Sequence, residues 1–153
     1  MNYPNRKPQR KPGYDYSLSG SYFITICTHS KGNILSFIIP NSEHSMPSVR
    51  LTEIGKKVNK AISEINNKNS IFEIDNYIIM PNHIHFIIHN YRDGELSISD
   101  IVGRFKSYTS HLYGKRLWQK SFYDHIIRNE KDYLEISKYI YENPARWIYD
   151  DTH

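Results

Sequence analysis

His83 and His85 stand one residue apart in an otherwise apolar run, His83-Ile84-His85-Phe86-Ile87-Ile88-His89. Along an extended strand side chains alternate, so both imidazoles face one side while Ile84 and Phe86 face the other. A neutral imidazole offers one ring nitrogen, and two imidazoles a pleat apart can share a metal ion. A zinc site would normally add thiolate or acidic ligands. Here no carboxylate adjoins the pair and Cys27 is the only cysteine. Two histidines completed by a neutral oxygen suit Mg²⁺ or Mn²⁺ gripping a phosphate. The metal-dependent amidohydrolases use the same spacing on a barrel of ~250 residues, which a 153-residue chain cannot form. His89 continues the same face two pleats on and reads as structural or surface.

The second group with chemistry is Tyr133, Tyr139 and Tyr141 near the C-terminus. A tyrosine nucleophile beside a metal needs a ligating partner on its own helical face, four residues on. For Tyr139 that residue is Asn143, whose amide oxygen can bind a cation. Tyr133 is followed by Ser137 and Tyr141 by Ala145, which cannot ligate. The spacing selects Tyr139. A phenol has a pKa near 10 and is a poor nucleophile at neutral pH, and a nearby cation favours the phenolate. Arg104, Lys106, Lys115, Arg116 and Arg128 are candidate phosphate contacts, with Trp118 and Tyr123 as surfaces for stacking unpaired bases.

These residues need elements to hold them. Ser21 to Thr28 and Asn33 to Ile39 read as strands, and Val49 to Leu51 as a short one. Thr52 caps a helix to about Asn67, with Ile54, Val58, Ile62 and Ile65 as its buried stripe. Ile71 to Met80 and His83 to His89 form two strands split by the turn Pro81-Asn82. Ser97 and Asp100 resemble a capping box, opening a helix that buries Ile98, Ile101, Val102, Phe105 and Leu112. Extended pieces follow at Leu117 to Lys120 and Tyr123 to Ile127. Asn129 with Asp132 opens the last helix, expected to stop at Pro144 because proline disfavours helical geometry in the residue before it. Hairpin strands with helices to one side imply an α+β antiparallel sheet.

Composition sets the outer limits. The net charge is +4 and the pI about 9.0, a mild basic excess that fits a polyanionic partner. A lone cysteine allows no internal disulfide, so a cytoplasmic, soluble protein is expected. Residues 1–13 carry Arg6, Lys7, Arg10 and Lys11 with three prolines, and read as a flexible basic arm rather than a secretory signal. No apolar stretch approaches the ~18 residues of a membrane span.

Together these segments resemble the single-tyrosine HUH transposases, and within that IS200-like superfamily the REP-associated branch. Tyr77-Ile78-Ile79-Met80-Pro81-Asn82-His83-Ile84-His85 resembles the HUH motif. Leu117 through Arg128 resembles the segment before the nucleophile helix, and Lys138-Tyr139-Ile140-Tyr141-Glu142-Asn143-Pro144 the helix itself. Gly13-Tyr14-Asp15-Tyr16 through Thr28 resembles the N-terminal strand region. The resemblance spans nearly the whole chain in the right order.

It implies a ferredoxin-like HUH endonuclease fold, with helices on one face of an antiparallel sheet, as one domain over residues 14–153. It implies that His83 and His85 bind Mg²⁺ or Mn²⁺ with Asn143 as third ligand, a position where some relatives carry Gln. Tyr139 would be the nucleophile, giving a 5′-phosphotyrosine and a free 3′-OH that strand joining can reverse. The implied partners are single-stranded DNA beside hairpins and a second copy of the chain in a homodimer, a monomer being the alternative. His125 and Arg128 lie within a matching segment. A catalytically silent nucleic-acid-binding module is the rival on the same fold, and the intact set of His83, His85, Tyr139 and Asn143 argues against it. A water-using metal phosphohydrolase is a third reading. An RNA-recognition sheet would show an aromatic RNP strand, which is not found.

Overall fold

The computed structural model describes residues 13–42 and 46–150. The basic arm read at residues 1–13 lies outside them except for Gly13. The elements in chain order are β1 (Gly20–Cys27), β2 (Ser36–Ile39), β3 (Ser48–Leu51), α1 (Glu53–Asn67), β4 (Phe72–Ile79), β5 (His83–Asn90), α2 (Ile98–Tyr113), β6 (Tyr123–Ile127) and α3 (Glu130–Tyr149). Four strands form one antiparallel sheet in the order β4-β5-β1-β6. β2 and β3 form a separate ribbon. The architecture is α+β with an antiparallel sheet, as the pattern requires.

Each helix begins where a side chain can satisfy an otherwise unpaired amide. Thr52 accepts from the Gly55 amide, and Asn129 from the Asp132 amide. Ser97 and Asp100 close a reciprocal capping box.

The sheet buries apolar side chains on both faces. Tyr22, Ile24 and Ile26 of β1 join Ile84, Phe86 and Ile88 of β5 in a core that also takes in Ile54, Val58 and Ile62 of α1 and Ile98, Val102 and Phe105 of α2. The sequence reading expected helices on one face only, and the structure corrects this. The alternate positions Phe23 and Ile87 are also fully buried, against Ile136, Tyr139 and Ile140 of α3. So α1 and α2 occupy one face and α3 covers the other. The residues that placed α3 there are the odd-numbered apolar positions of β1 and β5.

Two further boundaries differ from the sequence reading. The extended piece Leu117 to Lys120 makes one isolated bridge, Thr28 to Trp118. The last helix does not stop at Pro144 but runs through it to Tyr149. A proline inside a helix costs ~3 kcal/mol. Here Pro144 is buried, and the turn beyond it places Trp147 against His83, with ring centroids 6.3 Å apart. Tertiary contact holds the last turn that local preference would release.

Gly55 marks the closest backbone approach. Both the Thr52 amide and hydroxyl donate to the Leu35 carbonyl, drawing the first turn of α1 onto the segment before β2. A Cβ on Gly55 would collide with that same carbonyl oxygen. Gly55→Ala is therefore expected to destabilise the fold by about 2 kcal/mol or more despite Ala's better helix propensity. Urea denaturation measures this, and a midpoint at or above that of the unsubstituted protein would contradict it.

Candidate active site

The turn Pro81-Asn82 fixes where β5 begins. The Met80 amide donates to the His83 carbonyl at 2.9 Å, closing the turn. The Leu35 and Thr28 amides donate to the carbonyls of Pro81 and Asn82, each at 2.9 Å. The backbone at His83 is thus held from both sides. In the β1–β5 register His83 lies opposite Cys27 and His85 opposite Thr25. Both imidazoles point to the α3 face, as the alternation predicts.

Their Nε2 atoms face each other at 3.1 Å. The Asn82 Oδ1 lies 2.8 Å from His83 Nδ1. A carbonyl oxygen only accepts, so Nδ1 carries the hydrogen and Nε2 keeps its lone pair. Thr25 Oγ1 lies 2.7 Å from His85 Nδ1. A hydroxyl can donate or accept, so His85 can adopt either tautomer. With Thr25 donating, His85 Nε2–H bonds to His83. With Thr25 accepting, both Nε2 atoms are bare donors converging on one point. Two metal–imidazole bonds of about 2.1 Å at right angles separate their nitrogens by ~3.0 Å, so the pair fits a shared cation. Hydrogen bonds of this kind fix ring orientation behind metal-binding imidazoles.

Asn143 supplies the third group. It is buried, it donates from Nδ2 to the Tyr139 carbonyl at 3.2 Å, and it lies near enough to both imidazoles and the Tyr139 phenol to shift their pKa values. Among the described residues no cluster of three His, Cys, Asp or Glu could hold a metal. A cation on two imidazoles and an amide would keep its full charge, and an anionic phosphate would complete it.

Tyr139 lies beside this pair. Its ring packs edge-on against His85 at 5.5 Å and Phe23 at 6.1 Å. Burial pushes its phenol pKa up, while Asn143 and then Arg146 draw it down. Tyr139, His83 and Asn143 line a cavity of about 1190 Å³ whose other wall is the segment Cys27–Asn33 with Gln119. His85 lies behind His83, fully buried.

Burial also depresses both imidazoles. His83 is lowered to about 4, and His85 falls well below its usual range through burial and then the neighbouring His83. Both are neutral at pH 7, as metal binding requires. For a depressed folded-state pKa, the unfolded chain takes up the proton first. Stability is present above about pH 6.5 and lost as pH falls through about 4. Thermal melts of the metal-free protein should therefore show Tm falling across that window. A flat profile would show that the imidazoles are hydrated in solution.

The candidate DNA contacts are placed unequally. Arg104, Lys115 and Arg128 are exposed. Lys106 instead donates to the carbonyls of Gln119, Lys120 and Ser121, at 2.7, 2.9 and 3.3 Å, clamping the loop whose Gln119 lines the cavity. Arg116 donates from Nε to the Trp118 carbonyl at 3.0 Å. Trp118 is a correction: it is 3% exposed and donates to Thr109, so no base can stack on it. Aromatic type was legible, but burial came from its packing against Phe105. Tyr123 is half-buried in the α3 face cluster. His125 bonds Asp132 in the first turn of α3 at 2.9 Å. His89 bonds Ser21 and Asp75, which fits its reading as structural.

Four residues of the site were not found from sequence: Thr25, Asn82, Arg146 and Trp147. Thr25 and Asn82 are assigned by strand register and turn geometry. Arg146 and Trp147 were lost by ending the helix at Pro144, although Arg146 lies seven residues from Tyr139 and hence on its face.

Comparison with known proteins identifies the family. The family model for IS200-like transposases matches residues 47–143. An uncharacterized protein of Haemophilus influenzae is 32% identical over a 174-residue alignment covering 97% of this chain and 93% of that protein. The REP-associated tyrosine transposase of Escherichia coli K12 is 36% identical over 80 residues, about half of each chain (50% and 48%). A solved REP-associated tyrosine transposase bound to a REP hairpin superposes with a TM-score of 0.62 at 25% identity, covering 90% of this chain and 74% of that one. With the match extending over well more than half its length, the chain belongs to the IS200-like transposase family.

Proposed function

We propose that this transposase cuts and rejoins single-stranded DNA through Tyr139, with Mg²⁺ or Mn²⁺ held by His83, His85 and Asn143. The observation that carries the reading is the convergence of Tyr139 and Asn143 on the facing imidazoles, of which His83 lines the cavity. The Tyr139 oxygen attacks phosphorus and gives up its proton to solvent. The bond from phosphorus to the 3′-oxygen breaks, and that oxygen takes up a proton. The product is a 5′-phosphotyrosine and a free 3′-OH. The new ester conserves the phosphodiester bond, so attack by a 3′-OH reverses it without ATP. When bound, the cation would draw the scissile phosphate in and offset its charge.

The chain's own residues do the positioning. Asn143 draws the phenol pKa down, Thr25 and Asn82 set the imidazole rings, and the cavity would admit an unpaired strand. The hairpin bound by the solved relative supports hairpin-bearing DNA as the partner here. A homodimer acting on single strands in the cytoplasm completes the reading. None of the described helices is long and apolar enough to cross a membrane.

The experiment incubates the protein with Mn²⁺ and labelled oligonucleotides carrying hairpins from the flanks of its own gene. A covalent protein–DNA band on a denaturing gel is the expected result. Tight binding without any band would instead identify a silent binding module.

A further inference from the structure

We infer that Arg146 grips the scissile phosphate beside Tyr139 and is a catalytic residue of strand cleavage. The inference rests on the proposed role of Tyr139 as nucleophile.

The geometry starts from the helix that continues past Pro144. Arg146 lies seven residues beyond Tyr139 and three beyond Asn143, so all three share one face of α3. Its guanidinium sits over the Tyr139 ring, 5.3 Å from the centroid, and the side chain lines the cavity while remaining 57% exposed. Glu142 Oε1 is 3.7 Å from one terminal nitrogen, beyond hydrogen-bond length. An exposed pair at that distance steers the guanidinium and contributes little to stability.

Charge gives the arrangement its purpose. Among the described residues lining the cavity, the full cations are Lys31 and Arg146. Lys31 lies on the opposite wall, whereas Arg146 sits over the nucleophile's ring. A guanidinium is charged at any working pH, and its planar fork matches two non-bridging phosphate oxygens. Poised there, it would hold phosphorus in front of the Tyr139 oxygen and offset charge as the P–O bond to tyrosine forms and the bond to the 3′-oxygen breaks.

The test uses the full chain, Arg146→Gln and Arg146→Lys, and two readouts on hairpin oligonucleotides. The first is the single-turnover rate of adduct formation with Mn²⁺ at saturating DNA. The second is the salt dependence of DNA binding without metal. Arg146→Gln should slow adduct formation ~100-fold, with partial recovery in Arg146→Lys. It should also reduce the slope of log K against log salt by ~0.7, the loss of one contact to a single strand. A purely structural role would leave that slope unmoved. An adduct at the unsubstituted rate in Arg146→Gln overturns this inference alone. No adduct from the unsubstituted protein overturns the Tyr139 reading with it.

Discussion

Tyr139→Phe is expected to abolish the covalent protein–DNA adduct while leaving the fold intact. The substitution removes one oxygen, and that oxygen is the atom that would bond to phosphorus. No neighbouring group replaces it. Tyr141 is 68% exposed and turned from the cavity. Tyr133 is tied to Asp75 and Asn76 at the other end of α3's buried stripe. Loss of a nucleophile of this kind costs on the order of 10⁶-fold, which a gel reads as complete loss. The ring itself stays, and with it the contacts to Phe23 and His85. Stability should fall by only ~1 kcal/mol, the worth of one hydrogen bond. A surviving band of equal intensity would move the nucleophile to another tyrosine. A Tm lowered by only a few degrees alongside a lost band separates chemistry from folding.

His85→Ala should have the next largest effect, acting on both metal affinity and cleavage. One of two nitrogen donors disappears, and Asn143 loses one of its two imidazole neighbours. Mutating the groups that merely orient metal ligands costs 10–100-fold, so losing a ligand should lower Mn²⁺ affinity by ~100-fold or more. The substitution also opens space beneath Phe23 and Tyr139, since His85 stacks on Phe23 at 5.3 Å. His83→Ala is the companion variant because His83 borders the cavity and its removal disturbs packing less. Calorimetric titration with Mn²⁺ measures affinity without DNA, and the adduct gel measures cleavage. If both variants bound Mn²⁺ as the unsubstituted protein does, the metal assignment would fail while the Tyr139 assignment could still stand. A chelator that left cleavage untouched would have the same force.

Much of this site was legible in the chain. Period-two alternation put His83 and His85 on one side before any fold was known, because that geometry belongs to a single strand. The i+4 rule paired Tyr139 with Asn143 because both lie on one helix. The caps at Thr52, Ser97 and Asn129 were equally local, each settled within three residues. What all of these share is that cause and effect lie inside one element.

What the chain alone did not settle required elements to meet. Odd-numbered Phe23 and Ile87 are ordinary strand residues until α3 packs on them, and nothing in β1 or β5 names the helix that will. Trp118 and Lys106 carry the right chemistry for DNA, yet burial takes the first and three backbone carbonyls the second. Thr25 is an unremarkable strand threonine until the β1–β5 register sets it opposite His85. Proline's local preference argued for ending α3 at Asn143, but packing of the following turn against His83 outweighs a cost of ~3 kcal/mol. The sequence determined which residues could react and which way each faced within its own element. The tertiary structure decided which of them converge, because the register between strands and the face a helix covers are set by the summed burial of many distant side chains.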